Sequence, residues 1–138
     1  MLVVEDQELN REVADGMLKS FGLEVDGAEE GRQALAKLAA GRYDVVLMDC
    51  QMPVMDGYSA TRELRRLEAA LTRTPVIALT ADMTDAARDA CFAAGMDDYV
   101  GKPFSRATLH AVLSRWLATQ RGDVEETGSA AVNQLRLP

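Results

Sequence analysis

Cysteine is scarce in this chain of 138 residues: Cys50 and Cys91 are the only two, and they form no CxxC pair. That argues against a disulfide framework or a thiolate zinc site, and makes a reducing cytosol the expected setting. Long apolar runs are missing as well. None approaches the ~20 residues needed to span a bilayer, and no basic-then-apolar signal opens the chain. Positive charge is in deficit, with 15 Lys and Arg against 22 Asp and Glu for a net charge of −7. That balance argues against a nonspecific grip on nucleic acid or an anionic membrane. What is present is ordinary for a packed protein: 48% hydrophobic and 27% charged residues. The length suits one core and rules out most two-domain architectures.

Short apolar runs alternate with helical patterns five times. The strand-like runs are Leu2 to Val4, Leu23 to Asp26, Asp44 to Met48, Pro75 to Leu79 and Asp97 to Val100. The third and fourth are continuously apolar at their centres, as strands buried on both faces of a parallel sheet are. Between them, Leu9, Val13, Met17 and Phe21 recur at i+4, Leu35, Leu38 and Ala39 mark a second helix, and Tyr58, Thr61 and Leu64 a third. Ala87, Ala90, Cys91 and Ala94 give a narrow small-residue stripe, and Leu109, Val112, Leu113, Trp116 and Leu117 the clearest amphipathic face. Gly22, Gly41 and Gly95 stand where left-handed helix ends favour glycine, and Ser105 is a candidate N-cap. The alternation predicts right-handed crossovers and a parallel sheet with helices on both faces. A domain over 1–118 followed by a flexible tail or linker over 119–138 is the expected organisation.

In open α/β sheets, ligands gather at the carboxyl ends of the strands. Those ends carry Glu5-Asp6, Asp49, Thr80-Ala81 and Lys102-Pro103. Three carboxylates, a hydroxyl and an ammonium would therefore share one rim. Carboxylates brought together repel unless a cation intervenes. Mg²⁺ suits such a set because it takes hard oxygen ligands and pairs with carboxylates and phosphate. With no His or Cys in the cluster, zinc and copper fit poorly. A nucleophile, a metal bridging oxygens and donors for equatorial charge are the parts of phosphoryl transfer, and Asp49 is the best-placed nucleophile.

Four motifs at these strand ends, Leu2-Val3-Val4-Glu5-Asp6, Leu47-Met48-Asp49-Cys50-Gln51-Met52-Pro53-Val54-Met55-Asp56-Gly57, Ala78-Leu79-Thr80-Ala81 and Asp98-Tyr99-Val100-Gly101-Lys102-Pro103-Phe104, together resemble the receiver domain of two-component response regulators. Asn10-Arg11 and Ala94 to Tyr99 look most like receivers attached to hybrid sensor histidine kinases. The resemblance covers about residues 1–118 and implies a flavodoxin-like (βα)5 three-layer sandwich with sheet order 2-1-3-4-5. It implies Asp49 as phosphoacceptor, Asp6 and Asp49 as direct Mg²⁺ ligands, Glu5 as a water-mediated one and Gln51 as lending its backbone carbonyl. It also implies Thr80 and Lys102 as phosphoryl contacts, a cis Lys102-Pro103 bond, and Gln51 and Asp82 as tuning dephosphorylation. Thr80 and Tyr99 would form a switch that reshapes the face of helix four, strand five and helix five. Many receivers have Asp-Asp where this chain has Glu5-Asp6, so an altered metal affinity is expected.

The implied partners are a histidine kinase or histidine-phosphotransfer domain as donor, and a partner protein or second copy at the switch face. No contact with nucleic acid or membrane is expected of the domain. With His110 alone, the chain is read as an acceptor that needs an outside donor. Origin in a cytoplasmic part of a hybrid kinase is the first expectation, and a stand-alone regulator the second. Among rivals, a haloacid-dehalogenase-like phosphatase would need an Asp where Gln51 stands, and a nucleotide binder would need a glycine-rich loop after the first strand. A phosphate-independent interaction module remains open at this point. Cys50 reads as inert filler, and His110 and Trp116 as structural residues.

Overall fold

Strands that are apolar at every position have two faces to cover, and only a sheet with helices on both sides covers them. The computed structural model, which describes residues 1–52, 54–68 and 73–120, has that form. Its elements are β1 (Leu2–Val4), α1 (Glu8–Ser20), β2 (Asp26–Ala28), α2 (Gly31–Ala40), β3 (Val46–Asp49), α3 (Gly57–Leu67), β4 (Val76–Thr80), α4 (Asp85–Ala93), β5 (Asp98–Gly101) and α5 (Arg106–Gln120). The five strands pair in parallel in the order β2-β1-β3-β4-β5. This is the flavodoxin-like order expected from the sequence.

Alternate residues along each strand feed different cores. Val3, Leu47, Ile77 and Leu79 pack with α1 and α5, whereas Leu2, Val4, Val46, Met48, Val76 and Ala78 pack with α2, α3 and α4. The period of two in a strand therefore produces the three layers. The amphipathic face of α5 is as read: Leu109, Val112, Leu113 and Leu117 are buried, with Trp116 partly so. Ser105 caps that helix, its hydroxyl accepting from the Thr108 N–H at 3.1 Å. The helix continues to Gln120, past the boundary expected at 118, and the remainder of the expected tail, 121–138, lies outside the described residues.

Several local expectations need correction. In α1, Leu9 is 72% and Val13 48% exposed, while Ala14, Leu18 and Phe21 face the core. A strict i+4 repeat drifts by about 40° per step, so the stripe winds off the sheet at its N-terminal end. In α2 and α4 the small residues Ala39 and Ala90 are exposed, and Ala34, Ala87 and Cys91 are the ones buried. The second strand starts at Asp26 because its register pairs Leu2 with Asp26, and Leu23 and Val25 instead pack against the core from the preceding loop. Gly22 (φ 88°) and Gly95 (φ 102°) take the left-handed conformation, but Gly41 ends α2 in extended backbone at φ −151°. Among the described residues, no helix is long and apolar enough to cross a membrane.

Candidate functional site

The carboxyl ends of β1 and β3, central in the sheet, deliver Glu5, Asp6 and Asp49 to one cleft. One carboxylate oxygen from each lies within 4.8 Å of the others. Glu5 and Asp49 are buried, at 2% and 4% exposure, and Asp6 is half-buried. The chain after β5 brings in Lys102, whose Nζ lies 2.9 Å from Glu5 Oε1 and 3.2 Å from Asp49 Oδ2. Asp49 Oδ1 accepts from the Gln51 N–H at 3.1 Å. The Lys102–Pro103 bond is cis. Gln51 and Thr80 line the same cleft, of about 140 Å³.

Burial disfavours ionisation of Glu5, and the neighbouring Asp49 adds to it, so its carboxyl titrates above the ordinary value despite Lys102. Burial works the other way on the Lys102 ammonium, but the hydrogen bond to Glu5 and the charge of Asp49 outweigh it and hold the group above its usual value. One oxygen, Glu5 Oε2, is buried with no partner among the described residues. A buried carboxylate oxygen without a donor is costly unless a water or cation completes it.

Local sequence explains why the acceptor strand can turn here. Asp56 caps α3 by accepting from the Ser59 N–H at 2.8 Å. The next residue must be glycine, since a Cβ on Gly57 would lie 2.2 Å from the Asp49 carbonyl oxygen. Thr80 ends β4 with its hydroxyl engaged in a turn: it accepts from the Asp82 N–H at 3.0 Å and donates to the Asp82 carbonyl at 3.1 Å. Asp82 is exposed, and its carboxylate is held below the usual range by hydrogen bonds from Thr84. Tyr99, in β5, is half-buried and meets Phe92 of α4 edge-on at 6.1 Å.

Residues 1–114 match the response regulator receiver domain family. The chain belongs to that family. The receiver is 49% identical to the receiver domain of the sensor histidine kinase PA1611 from Pseudomonas aeruginosa PAO1, whose crystal structure holds a magnesium ion in its active-site cleft. That likeness covers 83% of this chain and 93% of the other, with a TM-score of 0.77. It is 44% identical to the rice (Oryza sativa subsp. japonica) Two-component response regulator ORR41, over 84% of this chain and 92% of that one. It is 38% identical to Histidine kinase 2 of Arabidopsis thaliana, over 84% of this chain, but spans only 12% of that protein's length.

The receiver's cleft fits a divalent cation on its own terms. Three carboxylates against one ammonium leave an excess of negative charge, every donor is a hard oxygen, and Glu5 Oε2 lacks a partner among the described residues. Of the residues singled out in the sequence, Glu5, Asp6 and Asp49 cluster, and Lys102 bridges Glu5 and Asp49. Gln51 and Thr80 form walls, Asp82 stands outside at the rim, and Tyr99 sits one strand further along. Sequence reasoning passed over two contacts. Arg11 of α1 donates to the Glu5 carbonyl at 2.8 Å and so braces the acidic loop. Cys91 reaches Cys50 across the α4 core, with sulfurs 3.9 Å apart. Burial pushes the Cys50 thiol up to about 12. Neither contact has a spacing signal: the first is a side chain folding back six residues onto a backbone carbonyl, and the second joins segments 41 residues apart. His110 is structural as read, packing edge-on against Phe21 at 5.2 Å.

Proposed function

We propose that this receiver accepts a phosphoryl group from a phosphohistidine onto Asp49. The observation that carries the reading is a buried Asp49 held between Lys102 and a pair of acidic residues at the carboxyl rim of the sheet. An Asp49 carboxylate oxygen attacks phosphorus as the imidazole N–P bond breaks, and the electron pair leaves with the imidazole. Asp6 and Asp49, with Glu5 beside them, would hold Mg²⁺, which would supply positive charge for the phosphoryl oxygens. Lys102 neutralises a further oxygen, and the Gln51 N–H orients the acceptor carboxylate. Gln51 and Asp82 flank the approach of water and tune the lifetime of the acyl phosphate. Thr80 can contact the phosphoryl group only by leaving its turn with Asp82, and Tyr99 then follows into the vacated space. The readout is a face of α4, β5 and α5, where Met83 and Phe92 are 56% and 46% exposed.

The donor approaches from the other side. Leu9 and Val13 stand exposed on α1 beside a recess of about 390 Å³ lined by Val13, Ala14, Ala81, Pro103 and Phe104. An apolar helix flank carrying the phosphohistidine fits there, a few residues from Asp49. We assign the receiver to a cytoplasmic hybrid sensor histidine kinase, in keeping with its likeness to the PA1611 receiver. The likeness to ORR41 along 92% of that protein supports a stand-alone regulator as the second reading.

The test is incubation with acetyl phosphate, with and without Mg²⁺, read by intact mass. The expected result is a Mg²⁺-dependent gain of one phosphoryl group that Asp49→Ala abolishes. Absence of both the phosphoryl gain and Mg²⁺ binding would overturn the reading and favour a phosphate-independent interaction module.

A further inference from the structure

Cys50 directly follows the proposed acceptor at the end of β3, and Cys91 sits in the last turns of α4. Their sulfurs are 3.9 Å apart across a separation of 41 residues, both side chains are buried, and both thiols are free. A disulfide needs the sulfurs about 2 Å closer. We propose that Cys50 and Cys91 are a redox modification site, whose disulfide ties α4 to the acceptor strand.

The oxidant is a small-molecule disulfide of the glutathione type. One cysteine thiolate attacks it, forming a mixed disulfide and releasing one small thiol. The second cysteine attacks the mixed disulfide, forming the Cys50–Cys91 bond and releasing the other small thiol. Two protein thiols are oxidised and one small disulfide is reduced to two thiols. In the closed fold both sulfurs lie inside the core of Met48, Ala60, Val76, Ala78 and Met96. The reaction therefore needs α4 to lift from that core, and the product then holds it down. Because α4 is one of the three elements of the face that phosphorylation is proposed to reshape, the oxidised receiver can be loaded yet cannot switch. Formation of the bond is independent of the phosphoacceptor reading; its consequence for switching rests on it.

The experiment equilibrates the reduced protein with graded ratios of oxidised to reduced glutathione at mildly alkaline pH. Acid quenching and maleimide labelling under denaturing conditions precede intact mass. The expected product is a monomer that has lost two hydrogens and takes no maleimide, and that Cys50→Ala and Cys91→Ala do not form. Two maleimides at every ratio, a persistent glutathione adduct or a cross-linked dimer would overturn the site. The reduced and oxidised forms then receive beryllofluoride with Mg²⁺. Loss of the α4 amide shifts in the oxidised form alone, with beryllofluoride bound in both, supports the lock; equal shifts overturn it. If neither form takes up beryllofluoride, the phosphoacceptor reading fails and the lock fails with it, while the mass result still decides the disulfide.

Discussion

Val54 is the one non-glycine among the described residues with a positive φ, at 67°, and its side chain is 77% exposed. A β-branched residue there is strained by ~1–2 kcal/mol, with no packing to offset it. Glycine relieves that strain at some entropic cost. Val54→Gly should therefore raise the unfolding free energy by about 0.5–1 kcal/mol in urea titration, and an unchanged midpoint would show the strain is absent. Lys102 places one positive charge beside the carboxylates proposed to hold Mg²⁺. Removing it as Lys102→Met leaves Glu5 and Asp49 without their counter-ion. The expected outcome is Mg²⁺ binding tighter on the order of tenfold by calorimetry, because repulsion between the cations is gone. The same variant should melt lower without Mg²⁺, and recover with it, while phosphoryl loading falls.

At the scale of elements, α1 divides along its length into a buried end and an exposed end on which donor docking is proposed. Leu18 is fully buried against the sheet, so Leu18→Ala should cost about 2–5 kcal/mol by chemical unfolding. Leu9, 72% exposed, should change stability by less than ~0.5 kcal/mol as Leu9→Ala. The informative measurement on Leu9→Ala is loading: slower from a phosphohistidine protein and unchanged from acetyl phosphate. Equal loading from both donors would remove α1 from the docking surface. The sequence pattern marked α1 as a helix, but its i+4 stripe stays on the buried face only at Met17 and Phe21 and leaves it at Val13 and Leu9. Periodicity reports which residues are apolar, and the crossing of α1 over the sheet selects which of them are covered. On α5, by contrast, Leu109, Val112, Leu113 and Leu117 formed one consistent stripe, and there reading and structure coincide.

For the whole molecule, charge off the functional rim adds to stability at neutral pH. Asp26 accepts from the Tyr43 hydroxyl at 2.7 Å and from Lys37 at 2.9 Å, and those hydrogen bonds hold its carboxyl near about 2 against an ordinary 3.8. A depressed carboxylate favours the folded state above the ordinary value, and that contribution fades as pH falls toward the folded one. Asp26→Asn should therefore be less stable than wild type at neutral pH, by no more than ~1 kcal/mol because the pair is half-exposed, with the difference closing between about pH 4 and pH 2. A difference that persists unchanged into that range would assign it to packing. The sequence by itself determined the alternation of strands and helices, the buried parallel sheet and the strand-end residues Glu5, Asp6, Asp49, Thr80 and Lys102, because those follow from local pattern and from where parallel strands stop. Only the tertiary structure decided that Lys102 bridges Glu5 and Asp49, that no group among the described residues partners Glu5 Oε2, and that Cys91 meets Cys50. Each of those depends on how crossovers bring distant segments together to within a few ångströms, a distance that no spacing along the chain encodes.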